Sequence, residues 1–252
     1  MCSLFFRNRE SITMYKRILL KLSGEALGDN GKGFDFGTVA HVAGQIADLA
    51  KKGIQVGVVI GAGNIWRGRQ GTDMDRVTAD HMGILATIIN SLAMKDAIEK
   101  TGVTCRVMTS IAMDAVAEPY ASRRAKEALN KGEVCIFGGG TGNPFFSTDT
   151  AAALRAVEIE ADAILLAKNI DGVYNADPRK DASAKRYQSI SFAQVLSDRL
   201  QVMDSTATAI CMDNDMPVIV FALNEHDSIA RVSGGEALGT TVRNDIDTVF
   251  YR

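Results

Sequence analysis

The 252-residue chain carries 28 Lys and Arg residues against 30 Asp and Glu residues, which gives a formal net charge of −2 at pH 7. This near balance provides no net positive charge that would attract nucleic acid or an anionic membrane, so an anionic ligand would need a local binding site. Hydrophobic residues make up 46% of the chain and charged residues 23%, which is ordinary for a soluble globular protein with a sizeable core.

The cysteines are Cys2, Cys105, Cys135 and Cys211, and no two of them form a C-x-x-C motif. Cys105 and Cys135 lie within apolar segments of strand length, and the three histidines show no metal-ligand spacing. Buried, reduced thiols fit this pattern better than disulfides or a zinc site. We therefore predict a cytoplasmic location and no metal held by protein side chains alone.

Residues 1–13 are of mixed composition and lack the apolar segment and cleavage signal of a secretory leader. The first strand pattern begins just after Met14. We therefore expect residues 1–13 to be a dispensable extension and residues 14–252 to form a single domain.

Apolar segments of strand length alternate with helical patterns along the chain. The predicted strands span residues 17–22, 55–60, 105–108, 134–137, 163–167 and 217–221. The predicted helices span about 37–52, 75–100, 120–131, 149–159, 191–200 and 204–214. This alternation predicts an α/β fold, a three-layer sandwich around a mainly parallel twisted sheet, with two lobes around a cleft. Residues 176–189 are polar and are expected to form a loop.

The predicted helix that covers residues 79–100 is apolar on two faces. One stripe at helical spacing contains Met82, Leu85, Ala86, Ile89, Leu92 and Ala93. Ile84 and Ile88 add apolar surface on a second face. Such a helix needs either complete burial or a partner subunit, and the sequence leaves both open.

Glycine-bearing turns follow three of the predicted strands, after Lys21, after Ile60 and after Phe137. In an open parallel sheet such turns gather at the carboxyl edge, where ligands bind. The segment from Phe137 to Asp149 runs from a strand through four glycines to the start of a helix, an arrangement that can bind an anion. A tight turn followed by a helix cap would have the same sequence pattern. No turn matches the Walker A or G-x-G-x-x-G pattern, so a standard dinucleotide site is disfavoured.

Charged residues flank these turns. Lys21 and Arg67 are suited to phosphate oxygens, and Asp80 and Asp149 are carboxylates near predicted helix starts. Taken singly, each has a structural reading as a strand end, a loop cation or a helix cap. Together they favour phosphoryl transfer, which requires positioning, cations and Mg²⁺ more than covalent catalysis.

Five segments together resemble the bacterial uridylate kinase family, which has the amino-acid kinase fold. They are Lys21–Leu27, Val59–Gly68, Ala79–Gly83, Thr141–Asp149 and Asp171–Pro178. The resemblance runs from about Met14 to Val242. It implies the reaction ATP + UMP → ADP + UDP with Mg²⁺ held mainly by the ATP phosphates, an N-terminal acceptor lobe and a C-terminal ATP lobe.

The resemblance also implies functional residues by position. The catalytic centre would contain Lys21, Arg67 and Asp149, with Asp149 orienting Lys21. The residues implied to bind ATP are Lys21, Leu22, Ser23, Gly24, Gly63, Arg67, Lys168, Asn169, Tyr174 and Asp177. The residues implied to bind UMP are Gly61, Ala62, Asp80, Thr141, Gly142, Asn143, Pro144, Phe145, Phe146, Ser147 and Thr148.

Assembly and regulation are implied in the same way: a homohexamer built from dimers through helix 80–100, activated by GTP and inhibited by UTP. The segment placed where the family has its GTP-linked loop is Asp29, Asn30, Gly31, Lys32, Gly33 and Phe34.

The chain departs from the family pattern in two segments. Ala62 stands where a glycine is usual, which requires a negative φ at that residue. Lys168-Asn169 replaces the Thr-Lys of some members.

Two alternatives stay open beside this hypothesis. A kinase of the same fold could act on a carboxylate or carbamate, although Asp80 would repel such an anion and suits two ribose hydroxyls better. A non-catalytic nucleotide-binding regulator is the other alternative, although binding alone would not require both Lys21 and Arg67.

Overall fold

The computed structural model describes residues 15–28, 33–67 and 73–251. The predicted N-terminal extension, residues 1–13, lies outside the described residues, as do residues 29–32 of the predicted GTP-linked segment.

The secondary-structure elements alternate as the sequence predicted, and the predicted elements agree with the observed ones to within three residues at each end. The strands are β1 (Arg17–Leu22), β2 (Gln55–Ile60), β3 (Cys105–Thr109), β4 (Glu118–Pro119), β5 (Val134–Gly138), β6 (Ala163–Lys168), β7 (Tyr187–Ser191), β8 (Val218–Ala222), β9 (Thr240–Arg243) and β10 (Val249–Phe250). The helices are α1 (Phe36–Lys51), α2 (Arg76–Glu99), α3 (Ser122–Asn130), α4 (Thr148–Glu158), α5 (Phe192–Ser197), α6 (Ser205–Asp213) and α7 (Ser228–Ser233), and a 3₁₀ turn covers Gly24–Leu27.

The strands form one sheet in the order β10-β7-β9-β8-β6-β1-β2-β5-β3-β4. Pairing is parallel except between β8 and β9 and between β7 and β10, so the predicted mainly parallel α/β sheet is confirmed. The central strand β1 has β2 on one side and β6 on the other. Strands from the first half of the chain therefore lie to one side of β1 and later strands to the other. Such a switch in strand order opens a crevice at the carboxyl edge.

Helices cover both faces of the sheet, which gives the predicted three layers. Because side chains alternate along a strand, Ile18 and Leu20 of β1 pack in a core that includes residues of α1, α2 and α7. Leu19 points the other way, into a core that includes residues of α3, α4 and α6. By the same alternation, Lys21 lies on the side of the sheet that α4 covers.

Part of the segment predicted as a polar loop is a strand. Tyr187 and Ile190 of β7 are buried, whereas Gln188 between them is exposed. The prediction was wrong for residues 187–189 because a short strand with few buried side chains gives little periodic signal. The late strands β9 and β10 and the two-residue strand β4 were missed for the same reason.

Helix α2 buries its second face and, of the stripe singled out from the sequence, only Ala86. Ile84 and Ile88 are buried, whereas the side chains at the centre of the predicted stripe are between 36% and 48% exposed: Met82, Leu85, Ile89 and Leu92. Complete burial within one subunit is therefore wrong. Length and composition alone would let α2 cross a membrane, but 44% of its most apolar window is buried inside the protein.

The cysteines of the described residues are buried and free, as expected. They are Cys105, Cys135 and Cys211. Burial raises the pKa of each of these thiols to about 12, so they are poor nucleophiles at neutral pH.

Candidate active site

The turns that follow β1, β2 and β5 converge at the carboxyl edge of the sheet. The Gly61 amide donates to the Leu22 carbonyl oxygen at 2.9 Å. Gly24 lies so close to the β2 turn that a Cβ atom there would be 2.4 Å from the Gly61 carbonyl oxygen and 2.6 Å from the Gly63 nitrogen. A side chain at position 24 would separate the two turns, so glycine is required for this close approach.

Lys21 and Asp149 form an ion pair where these turns meet. The distance from Lys21 Nζ to Asp149 Oδ1 is 2.7 Å, and the two side chains are 12% and 20% exposed. The N-cap of α4 is Ser147, whose side chain accepts from the backbone amides of Asp149 and Thr150. The reading of Asp149 as a simple helix cap is therefore wrong, because Ser147 caps the helix and leaves the Asp149 carboxylate to Lys21.

A second lysine approaches the same carboxylate from β6. Lys168 ends β6 on the face that also carries Leu166, and its ammonium donates to the Val202 carbonyl oxygen. Burial lowers the pKa of Lys168; the Asp149 charge opposes this shift and the Lys21 charge reinforces it. The site thus gathers two cationic groups around one carboxylate, and a bound polyanion would relieve the repulsion between them.

Arg67 lies above the β2 turn. Its guanidinium pairs with Glu25 Oε1 at 2.7 Å and donates from Nε to the Gly63 carbonyl oxygen at 3.2 Å. A Cβ atom at Gly63 would be 2.8 Å from Cγ of Glu25. The side chain of Arg67 is half-exposed, so it can exchange Glu25 for an anionic ligand.

The first cavity, which we call the N-terminal cavity, has a volume of about 270 Å³ and lies between the β2 turn, α2 and the β5 turn. Its predicted lining residues are Ala62, Gly63, Arg67, Asp80, Thr141, Asn143, Phe146, Ser147 and Thr148. Gly61, Gly142, Pro144 and Phe145 do not line it. Trp66 and Thr87 line it without having been predicted.

Asp80 lies in the second turn of α2 at the mouth of this cavity. Its Oδ2 atom accepts from the Arg76 guanidinium and from the Phe145 amide, each at 2.8 Å. Phe145 adopts φ of 71° and its ring is exposed, with the Arg76 guanidinium 5.3 Å from the ring centre. Ala62, by contrast, is not among the described non-glycine residues with positive φ, so the condition for replacing glycine there is met.

The second cavity, which we call the C-terminal cavity, has a volume of about 730 Å³ and lies between the ends of β1, β6 and β8. Its predicted lining residues are Lys21, Ser23, Asp149, Lys168, Asn169 and Tyr174. An adjoining cavity of about 650 Å³ is lined by Asp177 and also by Lys168 and Tyr174, which line the C-terminal cavity as well. The Leu22 side chain is fully buried in the core, so only its backbone could reach a ligand. Gly24, Gly63 and Arg67 do not line the C-terminal cavity either.

Several polar residues that support the site were not predicted. Asp204 caps α6 and accepts hydrogen bonds from the hydroxyls of Ser147 and Thr150, which ties α6 to the start of α4. Burial raises the pKa of Asp204, but hydrogen bonds from Ser147, Ala207 and Thr150 outweigh it and leave the pKa below its ordinary value. Thr87, Asn90 and Ser91 are buried on α2. Their spacing of three and four residues in an apolar helix was the available signal.

The Lys21–Asp149 pair lines the C-terminal cavity, and Thr148, the neighbour of Asp149, lines the N-terminal cavity. The glycine turns bring backbone amides to this point, and Lys21, Lys168 and Arg67 bring positive charge. This combination can hold a polyphosphate on one side and a phosphorylated or hydroxylated acceptor on the other, with the cations placed between them.

The fold agrees with those of proteins of known structure. The crystal structure of UMP kinase from Bacillus anthracis matches with a TM-score of 0.91 at 42% sequence identity, over 94% of this chain and 99% of that one. UMP kinase from Ureaplasma parvum matches with a TM-score of 0.87 at 39% identity, over 91% and 99%. Uridylate kinase from Archaeoglobus fulgidus matches with a TM-score of 0.69 at 28% identity, over 89% and 99%.

These similarities confirm the resemblance inferred from the five sequence segments. The family model described as the amino acid kinase family matches residues 16–222, which is most of the chain. The chain therefore belongs to the amino acid kinase family.

Proposed function

We propose that this protein transfers the γ-phosphoryl group of ATP to UMP and produces ADP and UDP. The observation that carries the proposal is the Lys21–Asp149 ion pair, which lines the C-terminal cavity in a chain 42% identical to a UMP kinase. The product would serve pyrimidine nucleotide biosynthesis.

ATP is proposed to bind in the C-terminal cavity. Lys21 and Lys168 line this cavity and would hold the phosphates, with Ser23 at the end of β1 beside them. Tyr174 lies between the C-terminal cavity and the adjoining one, and its hydroxyl donates to Asp171 at 2.9 Å. This placement suits contact between the Tyr174 ring and the nucleoside, with Asn169 and Asp177 nearby.

UMP is proposed to bind in the N-terminal cavity. Thr141, Asn143 and Thr148 offer polar groups for the base and phosphate, and Ala62 lines the same space. Asp80 would accept from the ribose hydroxyls. A carboxylate or carbamate acceptor would place a negative charge beside Asp80, which disfavours the alternative substrates.

For the transfer itself, the chain would contribute charge and position. Lys21 would neutralise charge that develops on the transferred group, and Asp149 would hold the Lys21 ammonium in place. Arg67 would leave Glu25 and contact the phosphates from above the β2 turn. These are the positions that the sequence resemblance implied, and their roles stay predictions.

Mg²⁺ is proposed to enter with ATP and to be held mainly by its phosphates. Among the described residues, no three His, Cys, Asp or Glu side chains cluster in a way that could hold a metal ion. When bound, Mg²⁺ would withdraw negative charge from the phosphate oxygens. Lys21 and Lys168 would then share the remaining charge.

Assembly is proposed to use the exposed face of α2. The side chains of Met82, Leu85, Ile89 and Leu92 form an apolar patch on one face of α2, of the kind that a second copy of the chain would cover. The hexamer, GTP activation, UTP inhibition and the cytoplasmic location are proposed from the resemblance to the uridylate kinases. Within the predicted GTP-linked segment, the described residue Gly33 exchanges two hydrogen bonds with Asn64 of the β2 turn, which supports a link between that segment and the acceptor side.

The sheet supports a division into two lobes. Strands β2 to β5 lie on the N-terminal cavity side of β1, and β6 to β10 lie on the other. We propose that these halves act as acceptor lobe and ATP lobe of one domain spanning residues 14–252.

The test is a coupled ADP-release assay that offers UMP, CMP, acetylglutamate and carbamate in parallel. Turnover restricted to UMP, or strongest with it, supports the proposal. Turnover with acetylglutamate or carbamate alone would favour the other kinases of this fold. ATP binding without turnover on any acceptor would favour a regulator.

A further inference from the structure

Two buried asparagines form a reciprocal pair of amide hydrogen bonds beneath the β2 turn. Asn64 belongs to that turn, and Asn90 lies on the inner face of α2. Asn64 Nδ2 donates to Asn90 Oδ1 at 3.0 Å, and Asn90 Nδ2 donates to Asn64 Oδ1 at 2.8 Å. The two residues are 5% and 0% exposed.

Each amide uses its second N–H to hold a backbone carbonyl. Asn90 Nδ2 donates to the Gly61 carbonyl oxygen at 2.7 Å, and Asn64 Nδ2 donates to the Gly33 carbonyl oxygen at 2.7 Å. All four amide N–H groups are therefore engaged. A fully satisfied buried network of this kind specifies one arrangement, because any displacement leaves a buried polar group unpaired.

The carbonyl of Gly61 determines where the next amide points. In a planar trans peptide the N–H of Ala62 points opposite to the C=O of Gly61. Since Asn90 holds that C=O from the α2 side, the peptide cannot rotate without breaking a buried bond. Ala62 lines the N-terminal cavity, so holding the Gly61–Ala62 peptide in place also fixes this part of the cavity wall.

Helix α2 holds the opposite wall of the same cavity by a similar contact. Thr87, three residues before Asn90, accepts at Oγ1 from the Gly139 amide at 2.9 Å. One helix face thus anchors both glycine turns, the β2 turn through Asn90 and the β5 turn through Thr87. The neighbouring residue Ser91 donates only to the Thr87 carbonyl within its own helix, at 2.8 Å.

The geometry points to Asn64 and Asn90 as positioning residues for the acceptor phosphate. They act through the Gly61–Ala62 peptide, which they hold in place at the wall of the N-terminal cavity, and they do not touch the substrates themselves. This inference rests on the proposed function, because it takes the ligand of that cavity to be a nucleoside monophosphate. Its specific consequence is that loss of the pair weakens UMP binding more than ATP binding.

The test compares variants Asn90→Leu and Asn64→Leu/Asn90→Leu with Ser91→Ala. Leucine approximates the shape of asparagine, and replacing both partners avoids leaving one amide unpaired in the core. Ser91→Ala is the matched control, since it removes a buried hydrogen bond from the same helix but no hydrogen bond to a turn. Steady-state kinetics would give KM for UMP, KM for ATP and kcat, and thermal melts would verify folding.

We expect KM for UMP to rise about tenfold or more in both Asn90 variants, as for the loss of a charge-assisted hydrogen bond, with KM for ATP nearly unchanged. Ser91→Ala should leave KM for UMP and KM for ATP unchanged. The inference is overturned if folded Asn90 variants keep the wild-type KM for UMP, if both KM values rise together, or if Ser91→Ala has the same effect.

A measurement on the unmodified protein does not depend on the variants folding. UMP should slow hydrogen exchange of the Ala62 amide, and ATP alone should leave it unchanged. Unchanged exchange in a protein that turns over UMP would overturn the inference but not the proposed function. Absence of UMP turnover in the unmodified protein would instead refute the proposed function.

Discussion

Lys21 and Asp149 approach to 2.7 Å although 128 positions separate them in the chain. Lys21 ends the central strand β1, and Asp149 lies in the first turn of α4, which packs on the face of the sheet to which Lys21 points. Ser147 satisfies the first amides of α4. The carboxylate of Asp149 is consequently available to hold the lysine at the wall of the C-terminal cavity.

Replacing Lys21 by alanine should lower kcat by about 100-fold or more, which corresponds to about 2.7 kcal/mol of lost transition-state stabilisation. The reason is that Lys21 would contact charge that develops on the transferred phosphoryl group. The measurement is steady-state ADP release with UMP. Lys16→Ala is the control, because Lys16 is an exposed lysine adjacent to the same strand. A kcat for Lys21→Ala near that of the wild type would show that Lys21 is not catalytic.

Asp80→Asn should mainly raise KM for UMP, by about tenfold, because an amide accepts less strongly from the ribose hydroxyls than a carboxylate. Asp75→Asn makes the same chemical change at the N-cap of α2 and should be nearly neutral, since asparagine caps helices as well as aspartate. Initial rates measured at a series of UMP concentrations would give KM for UMP of the two variants. An unchanged KM for Asp80→Asn would remove Asp80 from the ribose site.

Leu85→Glu combined with Ile89→Glu should reduce the oligomer mass, because both side chains lie on the exposed apolar face of α2. Light scattering after size exclusion would measure the mass. Leu196→Glu on α5 is a matched control, since Leu196 is also an exposed leucine but lies outside this face. A variant mass equal to that of the wild type would place the subunit contact elsewhere.

As the pH is raised, affinity for ATP should begin to fall at a lower pH than it would if Lys168 had the pKa of an ordinary lysine. Burial lowers the pKa of Lys168, so its neutral form, which does not attract phosphate, is populated at lower pH. The effect of Lys168 on stability has the opposite sign. Between its lowered native pKa and the ordinary value of 10.5, Lys168 binds fewer protons in the native state than in the unfolded state. The free energy of unfolding therefore increases as the pH rises through this range.

Kinetics at a series of pH values would test this effect on KM for ATP. Lys168→Met should have a higher KM for ATP at neutral pH but a smaller rise toward alkaline pH. Equal slopes for the variant and the wild type would show that another group titrates.

Deletion of residues 1–13 should leave kcat and both KM values close to those of the full chain, since the resemblance to the uridylate kinases begins near Met14. Expression of both chains and parallel kinetics would measure the effect. A folded but inactive truncation would show that the N-terminal residues belong to the kinase.

The sequence predicted the sheet and the convergence of the three turns because long apolar strands and glycine clusters are strong local signals. The site residues followed instead from the resemblance to the uridylate kinases, and four of them, Gly61, Gly142, Pro144 and Phe145, do not line the N-terminal cavity. The sequence could not decide which face of α2 is buried. Both faces are apolar, and only the tertiary packing shows that Ile88 lies inside and Ile89 outside.

The polar residues that hold the turns were harder to predict. Asn64 and Asn90 are 26 positions apart, and nothing in either local segment indicates that their amides meet. Asp204 reads as an ordinary helix cap, and its contact with Ser147 depends on how α6 packs beside α4. Such long-range hydrogen bonds follow from the fold and not from local pattern.

The most direct test of phosphoryl transfer to UMP is identification of the product. The protein should be incubated with ATP labelled with ³²P at the γ position, Mg²⁺ and UMP, and the nucleotides separated by anion-exchange chromatography. We expect the label to move to the β position of UDP, in an amount equal to that of the ADP released. Label that appears only as inorganic phosphate, or ATP that persists with UMP unchanged, would contradict the proposed function.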